Sequence, residues 1–190
     1  MSDPTIQNYQ QFNKIKLLTY MTDDIIAFAS QKFGQDFYDY MDMNCGAIPE
    51  GDFEKVIDPD APDQFLKMYE SIVLKRIELV STKLMESSRE YLKLMEEYFF
   101  NQGKKISIGQ IESMDTALDY FNEFILENSS FSQHQIICKN ENLMTWKKEN
   151  TESNIYWKLM ECFTQGLFSE SGFQFAVSDE LEFKIYRKNK

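Results

Sequence analysis

The sequence has 190 residues, of which 31 are Asp or Glu, 20 are Lys or Arg and one is His, so its formal net charge is −11 at pH 7. Aromatic residues make up 15% of the chain, which argues against intrinsic disorder because disordered chains contain few of them. The negative charge argues against direct binding to nucleic acid, since phosphates repel a field of the same sign. The length predicts a single domain over 1–190, with an acidic helical N-terminal part (1–62), central helices (63–128) and a mixed α/β C-terminal part (129–190).

The cysteines and the hydropathy of the chain indicate the cellular compartment in which the protein is expected. Cys45, Cys138 and Cys162 are far apart and odd in number, which favours reduced thiols over a disulfide framework. The first eleven residues are polar, so no signal peptide is predicted. No apolar run approaches the roughly 20 residues that a membrane-spanning helix needs. We therefore expect a cytoplasmic protein that does not bind a membrane.

The N-terminal third of the chain alternates helical patterns with turn residues. Apolar residues at helical spacing predict a helix over 5–19. Thr22, followed by two aspartates, predicts the N-cap of a second helix that Gly34 ends. Residues 35–44 are predicted to form a further helix, and the prolines and glycines of 46–62 predict a loop.

A long helical pattern follows, from Asp63 to about Asn101. Its apolar residues recur at alternating steps of three and four: Leu66, Tyr69, Val73, Ile77, Val80, Leu84, Tyr91, Met95 and Tyr98. A straight helix of this length would measure about 58 Å, whereas the radius of gyration of a compact chain of this size is about 16 Å. We therefore expect a bend or break near Ser87 and Ser88; the alternative is that the helix reaches into a partner.

The remaining elements complete the predicted fold class, which is α+β and mainly α-helical, with about five or six helices and one or two small antiparallel β-hairpins. The last hairpin is expected at the C-terminus. The predicted segments are a turn or short strand at 103–109, a helix at 110–128, a hairpin at 135–147, a helix at 155–165 ended by Gly166, and a hairpin at 173–185.

Negative charge is concentrated in two segments. Residues 23–60 carry ten acidic and two basic residues, and residues 106–138 carry five acidic residues with no Lys or Arg. On a helix over 110–128 the five acids lie within an arc of about 120°, away from the apolar side. They are Glu112, Asp115, Asp119, Glu123 and Glu127. Solubilising faces normally mix Lys with Glu, so this row predicts a surface for a basic partner; an ordinary solvated face is the alternative.

A second acidic row lies in the predicted helix over 35–44. Asp36, Asp39 and Asp42 are spaced by three, and Tyr38 and Tyr40 lie between them. Aromatic side chains beside carboxylates suit an interface with an Arg-rich partner, because packing and charge pairing are then both available. A core helix with a solvent-exposed edge explains the pattern equally well.

Catalytic motifs are mostly missing from the sequence. His134 is the single histidine, and its surroundings fit neither a catalytic triad nor a zinc site. The Asp-rich stretch 58–63 lacks the glycine and glutamate of a calcium loop and is predicted to form a turn and helix cap. Glu182 and Lys184, after Asp179, match the Asp…Glu-x-Lys pattern of magnesium-dependent nucleases, although solvated charges on a strand explain them equally well. No cofactor or metal is predicted.

These observations favour a non-enzymatic acidic binding protein. The leading expectation is a stoichiometric inhibitor, such as an immunity protein, an antitoxin or a nucleic-acid mimic, that occludes a basic site on a toxin or nuclease. One alternative is a secretion chaperone or adaptor that forms a homodimer through the helix over 63–101. The others are a magnesium-dependent nuclease using Glu182 and Lys184, and a structural domain without a charged partner.

Overall fold

A computed structural model of the chain describes residues 5–34, 36–107, 109–126, 135–147, 154–178 and 180–188. The described elements are α1 (Ile6–Phe33), α2 (Phe37–Cys45), α3 (Phe53–Val56), α4 (Pro62–Ser87), α5 (Glu90–Lys105), α6 (Met114–Phe124), β1 (Gln135–Lys139), β2 (Leu143–Lys147), α7 (Asn154–Leu167), β3 (Phe173–Val177) and β4 (Glu182–Arg187). This confirms the predicted α+β, mainly helical fold class. The residues form two compact units, Met1–Ser88 and Arg89–Lys190, and the organisation as a single domain stays a prediction.

The core of the first unit lies between α1 and α4. Each helix turns a stripe of apolar side chains inward at the three- and four-residue spacing that places them on one side. The buried residues include Phe12, Ile15, Leu18, Ile25 and Ile26 of α1, and Leu66, Val73, Ile77, Val80 and Leu84 of α4. The part of the apolar row that lies on α4 is therefore buried within its own unit.

Helix α1 corrects the prediction of two helices joined at Thr22. The helix is continuous over 28 residues, and Thr22 is fully buried in its middle, where its hydroxyl donates a hydrogen bond to the carbonyl oxygen of Leu18 at 2.7 Å. A threonine inside a helix can donate its hydroxyl hydrogen bond to the carbonyl four residues earlier, so a threonine need not mark a helix N-cap. The predicted end at Gly34 is confirmed, because Gly34 adopts a left-handed φ of 65° and its N–H donates to the carbonyl of Ser30.

The predicted break near Ser87 and Ser88 is confirmed. Helix α4 ends at Ser87, Ser88 has extended backbone angles, and α5 begins at Glu90. Upstream, the predicted loop 46–62 holds the short helix α3, and Pro62 occupies the first turn of α4. Proline fits there because the first N–H groups of a helix have no intrahelical acceptor.

Two glycines of the second unit have a packing role that the prediction did not include. Gly103 lies in the last turn of α5, two residues before its end at Lys105, and Gly166 is the penultimate residue of α7, close to the predicted helix end. A Cβ atom on Gly103 would lie 1.9 Å from the carbonyl oxygen of Phe163, and one on Gly166 would lie 2.1 Å from that of Phe100. The missing side chains therefore let the backbones of α5 and α7 come together.

The two predicted hairpins are confirmed, and they join into one antiparallel sheet of order β1-β2-β4-β3. Alternation along the strands gives the sheet a buried apolar face. On that face Trp146 stacks on Phe183, with ring centroids 5.5 Å apart, and Phe121 of α6 packs edge-on against Trp146 at 5.4 Å. Among the described strands, β1 and β3 form the edges of this sheet.

Candidate partner-binding surfaces

The acidic row on α6 is shorter than predicted. Ser113 caps the helix by accepting a hydrogen bond from the N–H of Thr116 at 3.1 Å, so α6 begins at Met114 rather than at residue 110. Glu112 consequently lies before the helix, and Glu127 lies outside the described residues. The helical part of the row is Asp115, Asp119 and Glu123. All three are exposed, at successive steps of four.

The direction of this row follows from what α6 buries. Met114, Ala117, Leu118 and Phe121 are buried, and Phe121 contacts Trp146 and Phe175 of the sheet. A helix advances about 100° per residue, which places the three carboxylates on the side away from Phe121. Packing on the sheet thus fixes the acidic row on the outward side of α6.

One carboxylate of the row has a cation beside it. The ammonium of Lys139, on β1, lies 2.7 Å from a carboxylate oxygen of Asp115. Within the described residues, Asp119 and Glu123 have no ion-pair partner. Arg187 donates a hydrogen bond to the backbone carbonyl of Glu112, and among the described residues no ion pair joins their side chains. The row therefore keeps most of its negative charge toward solvent.

The residues of the second predicted surface, on α2, have different structural roles. Asp36 caps α2, its carboxylate accepting hydrogen bonds from the N–H groups of Tyr38 at 2.8 Å and Asp39 at 3.4 Å. Asp42 pairs with the guanidinium of Arg76. Tyr38 donates its hydroxyl to the carbonyl oxygen of Asp23 at 2.9 Å. Of the three aspartates, Asp39 is the one whose exposed carboxylate has no structural partner among the described residues.

Tyr40, the fifth predicted contact on α2, is half-buried. Its ring lies 5.8 Å from that of Phe37, which is buried in the first unit. Tyr38 is more accessible, at 39% exposure. The α2 surface therefore offers Asp39 and part of Tyr38, while most of the predicted set holds α2 in place.

Arg76 organises this region, and the sequence-based prediction missed it. Arg76 is 5% exposed, and its guanidinium donates to the carbonyl oxygen of Gly46 at 2.7 Å and 3.1 Å. Burial raises the pKa of Asp23, Arg76 opposes that rise, and the nearby carboxylates Asp24, Glu50 and Asp42 add to it. The available clue was position, because Arg76 lies three residues after Val73 and four before Val80 on the apolar side of α4.

The Glu182 and Lys184 pair lies on the sheet face opposite the core. The two side chains form an ion pair of 2.9 Å along β4, next to the buried Phe183 and Ile185 that point the other way. Asp179 and His134 lie outside the described residues. In the part of the chain that is described, no three His, Cys, Asp or Glu side chains are grouped to hold a metal ion. The nuclease alternative stays a prediction.

Comparisons of the chain with protein-family models, with curated proteins and with solved structures give no match. Among the described residues, no helix has both the length and the apolar character that crossing a membrane requires.

The three cysteines are free and half-buried, and Cys162 is expected to be the slowest to react. Burial raises the pKa of the Cys162 thiol to about 11, and the nearby Glu96 and Glu161 add to the effect. At a pH of about 8, roughly one such thiol in a thousand is ionised, and the thiolate is the nucleophile. We expect iodoacetamide to label Cys162 more slowly than Cys138 in the native chain and at a similar rate in urea, as followed by peptide mass spectrometry. Equal labelling in the native chain would contradict this.

Proposed function

We propose that this chain is a non-enzymatic binding protein that acts as a stoichiometric inhibitor, of the immunity-protein, antitoxin or nucleic-acid-mimic kind, and covers a basic site on a toxin or nuclease. The observation that carries the proposal is the row of exposed carboxylates on the outward side of α6: Asp115, Asp119 and Glu123. We propose that the chain and its target form their complex in the cytoplasm.

The spacing of the row supports a basic target. Residues four apart on a helix rise about 6 Å along its axis, a separation that allows each carboxylate to meet a different Lys or Arg. Like charges at this spacing cost a few tenths of a kcal/mol per pair in the free protein. A basic partner would relieve this repulsion between the carboxylates. Its Lys or Arg side chains would also form charge-assisted hydrogen bonds with them.

The net charge of −11 supports rapid association. A field of this sign steers a basic protein toward the chain and raises the association rate, most strongly at low ionic strength. Asp39 and Tyr38 form a smaller second patch on the first unit, where the tyrosine ring adds packing area beside a charge. We propose the α6 row as the main contact and the α2 residues as an additional one.

The test uses charge reversal at two positions, Asp119→Lys with Glu123→Lys, and spares Asp115 because of its ion pair with Lys139. The matched control, Glu97→Lys with Glu170→Lys, changes the net charge equally at exposed positions of the same unit. Each chain is used as bait in a lysate of the native host. We expect a basic protein that binds the native and control chains and binds the α6 variant about 10- to 100-fold more weakly.

Two outcomes would contradict the proposal. The first is capture of a basic protein whose affinity is the same for the native chain and the α6 variant across salt concentrations. The second is that the α6 variant and the matched control lose affinity equally, because total charge rather than the row would then be responsible.

A further inference from the structure

A cavity lies beside the first half of α6. Its volume is about 410 Å³, in the lower part of the range of roughly 300–1,000 Å³ that ligand pockets occupy. Thr116 and Tyr120 of α6 line it together with Gln110 and Glu112 of the segment that precedes the helix. Gln110, Glu112 and Thr116 are exposed and Tyr120 is half-buried, so the cavity opens to solvent.

Hydrogen bonds hold the segment before α6 in place. Gln110 donates its side-chain amide to a carbonyl oxygen of the loop after α7 at 2.9 Å, and the N–H of Ile111 donates to the carbonyl oxygen of Ser171 at 3.0 Å. Arg187 of β4 donates to the carbonyl oxygen of Glu112. These contacts fix the backbone of this wall before a ligand binds, which lowers the entropy cost of binding.

The cavity adjoins the acidic row. Residues three and four apart on a helix are neighbours on its surface, so Thr116 lies next to Asp119, and Tyr120 lies next to Glu123. At 100° per residue, Thr116 and Tyr120 lie between the row and the buried side of α6. A partner that lies over the row can therefore place a neighbouring side chain in the cavity.

We infer that this cavity binds an arginine side chain of the basic partner, with its guanidinium paired with the Glu112 carboxylate and stacked on the Tyr120 ring. This inference rests on the proposed function. A carboxylate accepts two hydrogen bonds from the fork of a guanidinium, and a flat cation over an aromatic ring gains a further attraction. The ammonium of lysine is compact and more strongly hydrated, so it gains less from the ring.

Charge selects a cation over other occupants of this size. Glu112 is the single charged side chain among the described residues that line the cavity, and Asp119 and Glu123 border it. A phosphate or carboxylate ligand would meet charge of its own sign, which opposes binding. A second copy of the chain, with its net charge of −11, is disfavoured for the same reason.

The test is an NMR titration of the isotope-labelled native chain with N-acetyl-arginine amide, with the corresponding lysine amide and with the citrulline amide, which is a neutral analogue of nearly the same shape. Ionic strength is held constant. We expect the arginine amide to produce saturable shifts of the backbone signals of Glu112, Thr116 and Tyr120, and the other two to bind at least about threefold more weakly. Absence of these shifts, or equal binding of either analogue, would overturn the inference.

Two variants locate the arginine site. Glu112→Gln removes the carboxylate charge and keeps the shape of the side chain, and Glu97→Gln makes the same charge change at an exposed position on α5. We expect Glu112→Gln to weaken binding of the arginine amide about fivefold or more and Glu97→Gln to leave it within about twofold. Equal effects of the two variants would overturn the inference.

The captured basic protein separates this inference from the proposed function. If it binds the Glu112→Gln chain as tightly as the native chain but is lost with the α6 charge reversals, the arginine pocket is overturned and the inhibitor proposal stands. A captured protein that is insensitive to the α6 reversals would contradict the inhibitor proposal itself, whatever the arginine amide does.

Discussion

Gly166→Ala is expected to unfold or severely destabilise the second unit. The added methyl group would overlap the carbonyl oxygen of Phe100, which lies 2.1 Å from its ideal position. Because the obstacle is backbone rather than a flexible side chain, α5 and α7 must separate, and we expect a cost of about 3 kcal/mol or more. Gly103→Ala should behave alike, since its methyl group would overlap the carbonyl oxygen of Phe163.

Tryptophan fluorescence during urea unfolding reports on the unfolding of the second unit. Both tryptophans, Trp146 and Trp157, belong to the second unit and are buried there. Gly109→Ala is the matched control, because no atom lies within 4 Å of the added Cβ. It should change the unfolding free energy by less than about 0.5 kcal/mol. A Gly166→Ala chain as stable as this control would contradict the close packing of α5 on α7.

Arg76→Met is expected to destabilise the first unit by about 2–4 kcal/mol. The substitution keeps much of the buried aliphatic volume but removes the donors to the carbonyl of Gly46 and the cation that pairs with Asp42. The end of α2 would then lose its attachment to α4. Urea unfolding followed by circular dichroism measures the loss, and Lys75→Met, which removes an exposed cation one residue away, is the control.

The deficit of Arg76→Met should grow with pH. Burial raises the pKa of Asp23 in the folded chain, and Arg76 opposes this rise. A folded pKa above the unfolded value means that the unfolded chain loses its proton first, so stability falls as pH rises between the two values. Without Arg76 the folded pKa rises further and this window widens. We therefore expect a larger deficit near pH 7 than near pH 4; a deficit independent of pH would contradict this electrostatic role.

Elements governed by local chemistry were predictable from the sequence. The break at Ser88, the left-handed end at Gly34 and both hairpins follow from neighbouring residues, and the structure confirms them. The spacing of Leu66 to Leu84 predicted an amphipathic helix, and in the structure these apolar residues lie buried on α4. Helix propensity, capping and strand alternation act over a few residues, which is why they are visible in a single sequence.

Features that depend on distant residues were not predictable. Gly103 and Gly166 lie within two residues of the ends of α5 and α7, but their close contacts with the facing backbone depend on the packing of α5 on α7 and were not visible in the sequence. The role of Asp42 on α2 depended on Arg76, which lies 34 residues further along the chain. On α6, the Ser113 cap that leaves Glu112 outside the helix is a local signal, and the prediction overlooked it.

We propose that the acidic row of α6 occludes a basic site on a partner in a fixed ratio. The most direct measurement titrates the enzymatic activity of the captured basic protein with the native chain, with the Asp119→Lys and Glu123→Lys chain, and with the matched charge control. We expect activity to fall in proportion to the amount of native or control chain added and to vanish at equivalence, whereas the α6 variant should require a large excess. Full activity in the presence of excess native chain, or equal inhibition by all three chains, would contradict it.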